Sequence, residues 1–238
     1  MKRWGHMAKT FTKIGKEITI AVKQGGPDVV GNSRLRALMA EARSENMPKD
    51  NVEKAIKRAL EKNQGDFKEV VFEGYGPHGI AYLVETATDN NTRTVANVRS
   101  YFTKCGGSLG TSGSVSFMFD HKCVFRIKYQ EGMDIDELQL ALCDCDDDPE
   151  VFIEEQEDKD ENITKNVVIY GAYESYGAIQ KYIEDNGYEL VSGGFERIPN
   201  VDLKDVTPEQ RETLDKLTGL LEDDDDVTNV YSTLKPAE

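Results

Sequence analysis

Little in this 238-residue chain points to covalent chemistry. Its four cysteines, Cys105, Cys123, Cys143 and Cys145, are too sparse for a disulfide scaffold. Cys143-x-Cys145 also lacks the two-residue gap of a redox or zinc pair. They read as free thiols in a reducing cytoplasm. The three histidines, His6, His78 and His121, lie far apart, and none falls in an HExxH pattern. No G-x-S-x-G, kinase or P-loop signature occurs. No apolar run approaches the ~18 residues of a membrane span, and the opening MKRWGHMAKTF has basic residues without the apolar stretch of a secretory leader. The acidic runs around Asp144 and Asp146 to Asp148, and from Glu222 to Asp226, lack EF-hand spacing and read as solvated turns. The expectation is a cytoplasmic protein that is not an enzyme, with no cofactor, metal site or membrane partner.

What is present is charge, unevenly spread. Charged residues make up 31% of the chain and the net charge is −15, from 29 Lys+Arg and 44 Asp+Glu. Taken whole, that balance disfavours indiscriminate nucleic-acid binding. Residues 1–62, however, hold 14 basic and 7 acidic residues, leaving 15 basic and 37 acidic for the remainder. A basic end on an acidic body suits contact with a polyanion by the end alone; self-solvating basic helices are the alternative.

The basic end reads as three helices. Over Ala8 to Gln24, Phe11, Ile14, Ile18, Ala21 and Val22 form one apolar stripe. Lys9, Lys13, Lys16 and Lys23 fall at offsets 0, 4, 7 and 14 and form a second stripe roughly opposite. Gly25-Gly26-Pro27 ends the helix. A second helix runs from Ser33 to Glu45, capped by Asn32 or Ser33, with Arg36 and Arg43 on its outer face. A third opens at Pro48, with Asp50 and Glu53 in its first turns and Lys54, Lys57 and Arg58 facing out.

After a polar linker, Asn63 to Asp66, the pattern becomes α/β. Phe67 to Tyr75 and Ile80 to Ala87 predict a hairpin, Asn91 to Lys104 a helix, and Ser114 to Phe119 a strand. On the helix, Arg93, Asn97, Ser100 and Lys104 share a polar face. The loop Gly106 to Gly113 follows a helix and precedes a strand. That is the wrong order for a phosphate loop, which opens a helix. It reads either as a hydroxyl- and glycine-rich segment near nucleic acid or as a connector. Trp4 and Tyr75 are candidate stacking aromatics, with core or surface packing the favoured reading of Tyr75 and Trp4 uninformative so near the start.

From Cys123 to Ile198 the order β-α-β-β-α-β is that of a ferredoxin-like unit. The remainder offers a short strand at Val201 to Leu203, a helix opened by Thr207-Pro208-Glu209-Gln210, and a strand from Val227. One helix and one or two strands cannot bury a core alone, so the tail is expected to return to residues 66–119. The fold class is thus α+β with three domains. These are a basic helical domain at 1–64, a discontinuous α/β domain at 65–121 plus 200–238, and an inserted ferredoxin-like α/β domain at 122–199.

Several long stretches resemble one family. Arg34-Leu35-Arg36 with Asn46 to Lys57, Phe72 to Pro77, Thr88 to Ala96, Gly106 to Gly110, Gly113-Ser114-Val115 with Met118-Phe119, and Asp226 to Tyr231 together are similar to the YebC/PmpR family over essentially the whole chain. The resemblance implies a helical N-terminal domain and two ferredoxin-like α/β domains, one discontinuous. It implies a cytoplasmic DNA-binding transcriptional regulator without catalytic residues, or, as in other relatives, a translation factor acting at the ribosome on difficult peptide sequences. Family members usually carry a longer basic segment before the tryptophan. Trp4 therefore implies a truncated or late-assigned start and a weaker N-terminal basic surface.

The partner expected is nucleic acid, either DNA or ribosomal and transfer RNA within the ribosome. The oligomeric state is open, with a monomer favoured. Candidate contacts are Lys9, Lys13, Lys16 and Lys23; Arg34 and Arg36; Lys49, Lys54, Lys57 and Arg58; Asn91, Arg93, Arg99 and Lys104; and the hydroxyls of Ser108 and Thr111. Phosphate contacts of this kind position a protein without reading sequence.

Overall fold

The computed structural model describes residues 2–61, 66–157 and 163–237. Residues 63–65 of the linker expected at 63–66, and the side chains of Trp4 and His6, lie outside it. Three helices come first: α1 (Lys2–Gly25), α2 (Ser33–Ser44) and α3 (Lys49–Leu60). Asn32 caps α2; its backbone is extended and its side-chain oxygen accepts from the Leu35 N–H at 3.0 Å. The order continues β1 (Lys68–Tyr75), β2 (Ala81–Thr88), α4 (Asn91–Lys104), β3 (Ser108–Leu109), β4 (Phe119–Lys128), α5 (Ile135–Leu142) and β5 (Glu150–Glu157). It ends β6 (Ile163–Ala172), α6 (Tyr176–Asp185), β7 (Leu190–Pro199), α7 (Pro208–Glu222) and β8 (Val227–Ser232). Among the described residues the fold is α+β, with helices at the N-terminus and two four-stranded antiparallel sheets.

The chain forms two compact units. The first holds residues 1–20, 53–120 and 197–238, and the second holds 21–52 and 121–196. The first unit's sheet has the order β3-β1-β2-β8, so the strand from the tail adds to the edge of β2. Strand β2 is buried on both faces, and its residues divide by the period of two that a pleated strand imposes. Tyr82 and Val84 point to α4 and α7, where they meet Val98, Phe102, Leu214, Leu217 and Leu221. Ala81 and Leu83 pack on the opposite face with Val115 and Phe119. Tyr82 and Phe102 meet edge to face at 5.8 Å, the arrangement that the ring quadrupoles favour. Thr207 and Gln210 close a reciprocal capping box at the start of α7, as the sequence predicts.

The second unit's sheet has the order β5-β6-β4-β7 and is built by β4-α5-β5-β6-α6-β7, a ferredoxin-like arrangement. Cys123, Phe125 and Ile127 of β4 and Val167 and Ile169 of β6 bury one face with Leu138, Leu142, Ile179 and Ile183 of α5 and α6.

Two of the expected strands do not form as read. Residues 114–118 are a bend and a turn of 3-10 helix, and the strand expected there begins only at Phe119. The reason is Glu73, whose carboxylate takes the N–H groups of Gly113, Val115 and Ser116 at 2.7–2.8 Å, so these donors cannot join a ladder. Residues 201–203 form no strand; the segment makes one isolated bridge, Lys204 to Leu234.

The loop after α4 is tight. A Cβ on Gly107 would lie 2.5 Å from the Tyr75 carbonyl oxygen and 3.0 Å from Gly76 Cα. Both are backbone atoms, so no rotamer change relieves the clash. Gly107→Ala is expected to destabilise the fold by about 2 kcal/mol, read as a lower urea midpoint with an unchanged slope.

Candidate nucleic-acid interface

The lysine stripe of α1 forms as the 3.6-residue period requires, but three of its four members, Lys9, Lys13 and Lys16, are engaged by the segment that ends α7. Lys9 Nζ lies 2.7 Å from Asp223 Oδ1. Lys13 Nζ donates to the Glu222 carbonyl at 2.8 Å. Lys16 Nζ donates to the Asp225 carbonyl and to Asp226 Oδ1, both at 2.7 Å. Glu222 is the last residue of α7, whose final carbonyls lack helical partners and carry the negative end of the dipole. The lysines therefore close a helix end. Burial pushes the Lys13 ammonium below the usual lysine range, with the Glu222 charge pulling the other way.

The run from Glu222 to Asp226 is accordingly no solvated turn. Asp224 is 9% exposed and Asp226 4%. Asp226 is a hub: beyond Lys16, its Oδ2 receives Arg93 Nη2 at 2.6 Å and the Thr94 hydroxyl at 2.8 Å. Burial alone would raise its carboxyl; Lys16, Arg93 and Thr94 outweigh that and bring it down to about 2. Asp224 Oδ2 accepts from Asn97 Nδ2 at 3.1 Å and from the Tyr101 hydroxyl at 2.9 Å. Burial and Asp224 push the Tyr101 phenol up to about 12. So Arg93 and Asn97, two members of the polar face expected on α4, meet the acidic turn. Together these groups border an open polar cleft of about 520 Å³, in which the Arg58 guanidinium stacks 4.4 Å above the Phe67 ring.

The remaining candidates are scattered. Lys49, Lys54 and Lys57 on α3 and Arg99 and Lys104 on α4 are exposed, with no carboxylate partner among the described residues. Lys104 Nζ sits 5.8 Å from the Tyr101 ring centroid. Asn91, Ser108 and Thr111 are exposed, and Ser108 pairs with Tyr75 in the β1–β3 ladder. In the second unit, Lys23 is exposed, Arg34 donates to Gln24 at 3.1 Å, and Arg36 pairs with Glu184 at 3.0 Å. Tyr75 donates its hydroxyl to the Ser114 carbonyl and is half-buried.

Sequence reasoning missed Asp226, Asp224 and Glu73, each buried through partners remote in sequence. It also missed an aromatic pair on the second unit's sheet, Phe152 and Tyr170, stacked at 5.9 Å, with Phe152 43% exposed. Both lie on the face opposite α5 and α6. The cross-strand partner of Phe152 is Val168, and alternation places Tyr170 on the same side.

These features define an α+β protein with cation-bearing N-terminal helices and two sheet units. Among the described residues no three His, Cys, Asp or Glu side chains converge as a metal site, and no helix is long and apolar enough to cross a membrane. Two family descriptions match the chain: the TACO1/YebC protein N-terminal domain over residues 1–62, and the TACO1/YebC second and third domain over residues 67–234. The chain belongs to the TACO1/YebC family. A relative from Parabacteroides distasonis, named a probable transcriptional regulatory protein, is 59% identical over 98% of this chain and 92% of its own length. One of the same name from Bacteroides thetaiotaomicron is 58% identical over 100% of this chain and 93% of its own. A solved structure of a conserved hypothetical protein from Aquifex aeolicus superimposes with a TM-score of 0.76 at 32% identity, covering 97% of this chain and 91% of that one.

Proposed function

We propose that this chain is a cytoplasmic, nucleic-acid-binding regulator of gene expression that works by binding, without catalysis, and that its target is DNA. The observation that carries the reading is the set of exposed cations on α3 and α4, Lys49, Lys54, Lys57, Arg99 and Lys104, which no carboxylate neutralises among the described residues. On an acidic protein, cations without a carboxylate partner are suited to phosphates, and four of these five, Lys54, Lys57, Arg99 and Lys104, belong to the first unit. The printed names of the relatives agree with a regulatory role. Two thiols point away from catalysis: burial pushes Cys123 up to about 11 and Cys145 upward as well, the reverse of an activated nucleophile. A second reading, a translation factor bound to RNA at the ribosome, draws on Phe152, exposed and stacked on the half-buried Tyr170, since an exposed aromatic ring suits unpaired bases.

Crosslinking in growing cells followed by sequencing of the attached nucleic acid separates the two. Promoter DNA with a shared sequence supports the first reading, and ribosomal or transfer RNA at defined positions supports the second. Recovery of neither overturns both. In vitro, Lys54→Gln with Lys57→Gln is expected to flatten the salt dependence of binding by up to ~0.9 per lost contact on duplex DNA, or ~0.7 on a single strand. An unchanged slope removes α3 from the interface.

A further inference from the structure

Lys9, Lys13 and Lys16 are spaced four and three residues apart on α1, so their Cα atoms rise by roughly 6 and 4.5 Å along the helix. Each ammonium already holds an oxygen of the segment 222–226: Asp223 Oδ1 for Lys9, the Glu222 carbonyl for Lys13, and the Asp225 carbonyl with Asp226 Oδ1 for Lys16. Four of five consecutive acidic residues thus give oxygens to the row of lysines, two as carboxylates and two as backbone carbonyls, much as a phosphate backbone would.

We infer that residues 222–226 are an internal occupant of the lysine face of α1, and that a nucleic acid gains Lys9 and Lys13 only by displacing them. The inference rests on the nucleic-acid reading above and adds a competitor to it. The contacts are graded in a way that makes partial displacement feasible. Lys9 is half-buried and Asp223 exposed, with 36% and 75% of their side chains accessible, and an ion pair so open to water is weak and screened by salt. Lys16 and Asp226 are closed off, at 11% and 6%, and Asp226 is held independently by Arg93 and Thr94. Exchange therefore begins at the Lys9 end and stops at Lys16, which stays on Asp226 as the hinge of the contact. The carboxylates of Asp223 and Asp225, both exposed, set how strongly the occupant competes.

The experiment uses the full chain with two probes, a mixed-sequence 20-nucleotide single-stranded RNA and a duplex DNA of the same length, measured by fluorescence anisotropy. Asp223→Asn with Asp225→Asn is expected to tighten binding by up to about fivefold at low salt. The control, Asp202→Asn with Asp205→Asn, changes net charge equally at two exposed sites outside the turn. Equal tightening in the control overturns the inference, because general repulsion would then explain the effect. A second readout needs no variant. Carbodiimide joins Lys9 to Asp223 through a zero-length amide in the free protein, and mass spectrometry measures its yield. Saturating probe is expected to lower that yield several-fold. An undiminished yield with the probe bound overturns the inference while leaving nucleic-acid binding intact. If neither the parent chain nor the Asp223/Asp225 variant binds either probe, both the inference and the function it rests on fall.

Discussion

Asp226→Ala is expected to destabilise the first unit by about 3 kcal/mol, the low end of what breaking a buried ion pair does. The carboxylate joins Lys16, Arg93, Thr94 and, at 3.3 Å, Thr88. Removing it leaves the Lys16 side chain, only 11% exposed, without its carboxylate. The Arg93 side chain is 49% exposed and keeps Asp89, which moderates the loss. Asp226→Asn retains the shape and some hydrogen bonding, so a loss nearer 2 kcal/mol is expected. The charge also fixes a pH dependence. A carboxyl that titrates near 4 in the unfolded chain and at about 2 in the folded one binds more protons when unfolded between those values. Its stabilisation is therefore complete above pH ~4 and is lost as pH falls towards 2. Urea midpoints at pH 7 and pH 3 test this: the parent chain should lose more stability on acidification than Asp226→Asn. Equal losses would mean the hub carries no net ionic stabilisation.

Glu73→Ala is expected to release the loop between α4 and β4. Burial alone would raise this carboxyl, yet the N–H groups of Val115, Gly113 and Ser116 hold it below the usual glutamate range. Hydrogen bonds to a charged acceptor contribute about 1.5–3 kcal/mol each, and their loss is not additive. With Val115 fully buried, a total of about 3 kcal/mol is expected. Glu73→Gln keeps one acceptor oxygen but turns a donor towards donors, so it should recover less than half of that. Hydrogen exchange is the direct measurement. The amides of residues 113, 115 and 116 should lose protection in Glu73→Ala while the core of the second unit keeps its own. Retained protection would show that the loop is held by its packing on Leu83 and Phe119.

What was legible in the sequence is what depends on near neighbours. Asn32, one of the two caps that the sequence offers for α2, and the Thr207–Gln210 pair cap helices within three residues of themselves, and both caps form. The βαββαβ order of the second unit is a string of local periods, and it too is formed. What was not legible depends on partners far along the chain. The strand expected at 114–119 is displaced by a glutamate 40 residues upstream. The acidic run near the end looks solvated until lysines 209 or more residues away are brought against it. The same contact changes the meaning of the α1 stripe: its spacing was readable, whereas its occupant was not. On the sequence Arg93 is a cation on a polar face with Asp89 four residues away, and nothing local reveals that its second partner is Asp226.

The pairing of β2 with β8 bears on how the chain is made. The residues from Thr88 to Ser232 span 144 positions, and β8 closes the sheet that β2 begins. A ribosome adding about 5–20 residues per second takes roughly 7–30 s to cover that distance. During this interval the newborn β1–β2 hairpin has an unpaired edge, the kind of template that recruits other strands. Phe102 and Tyr82 also wait for the leucines of α7. The strands of the second sheet, by contrast, emerge as one unbroken stretch. Vectorial synthesis therefore favours the inserted sheet closing first, and leaves the surrounding one as the part of the nascent chain most in need of a chaperone.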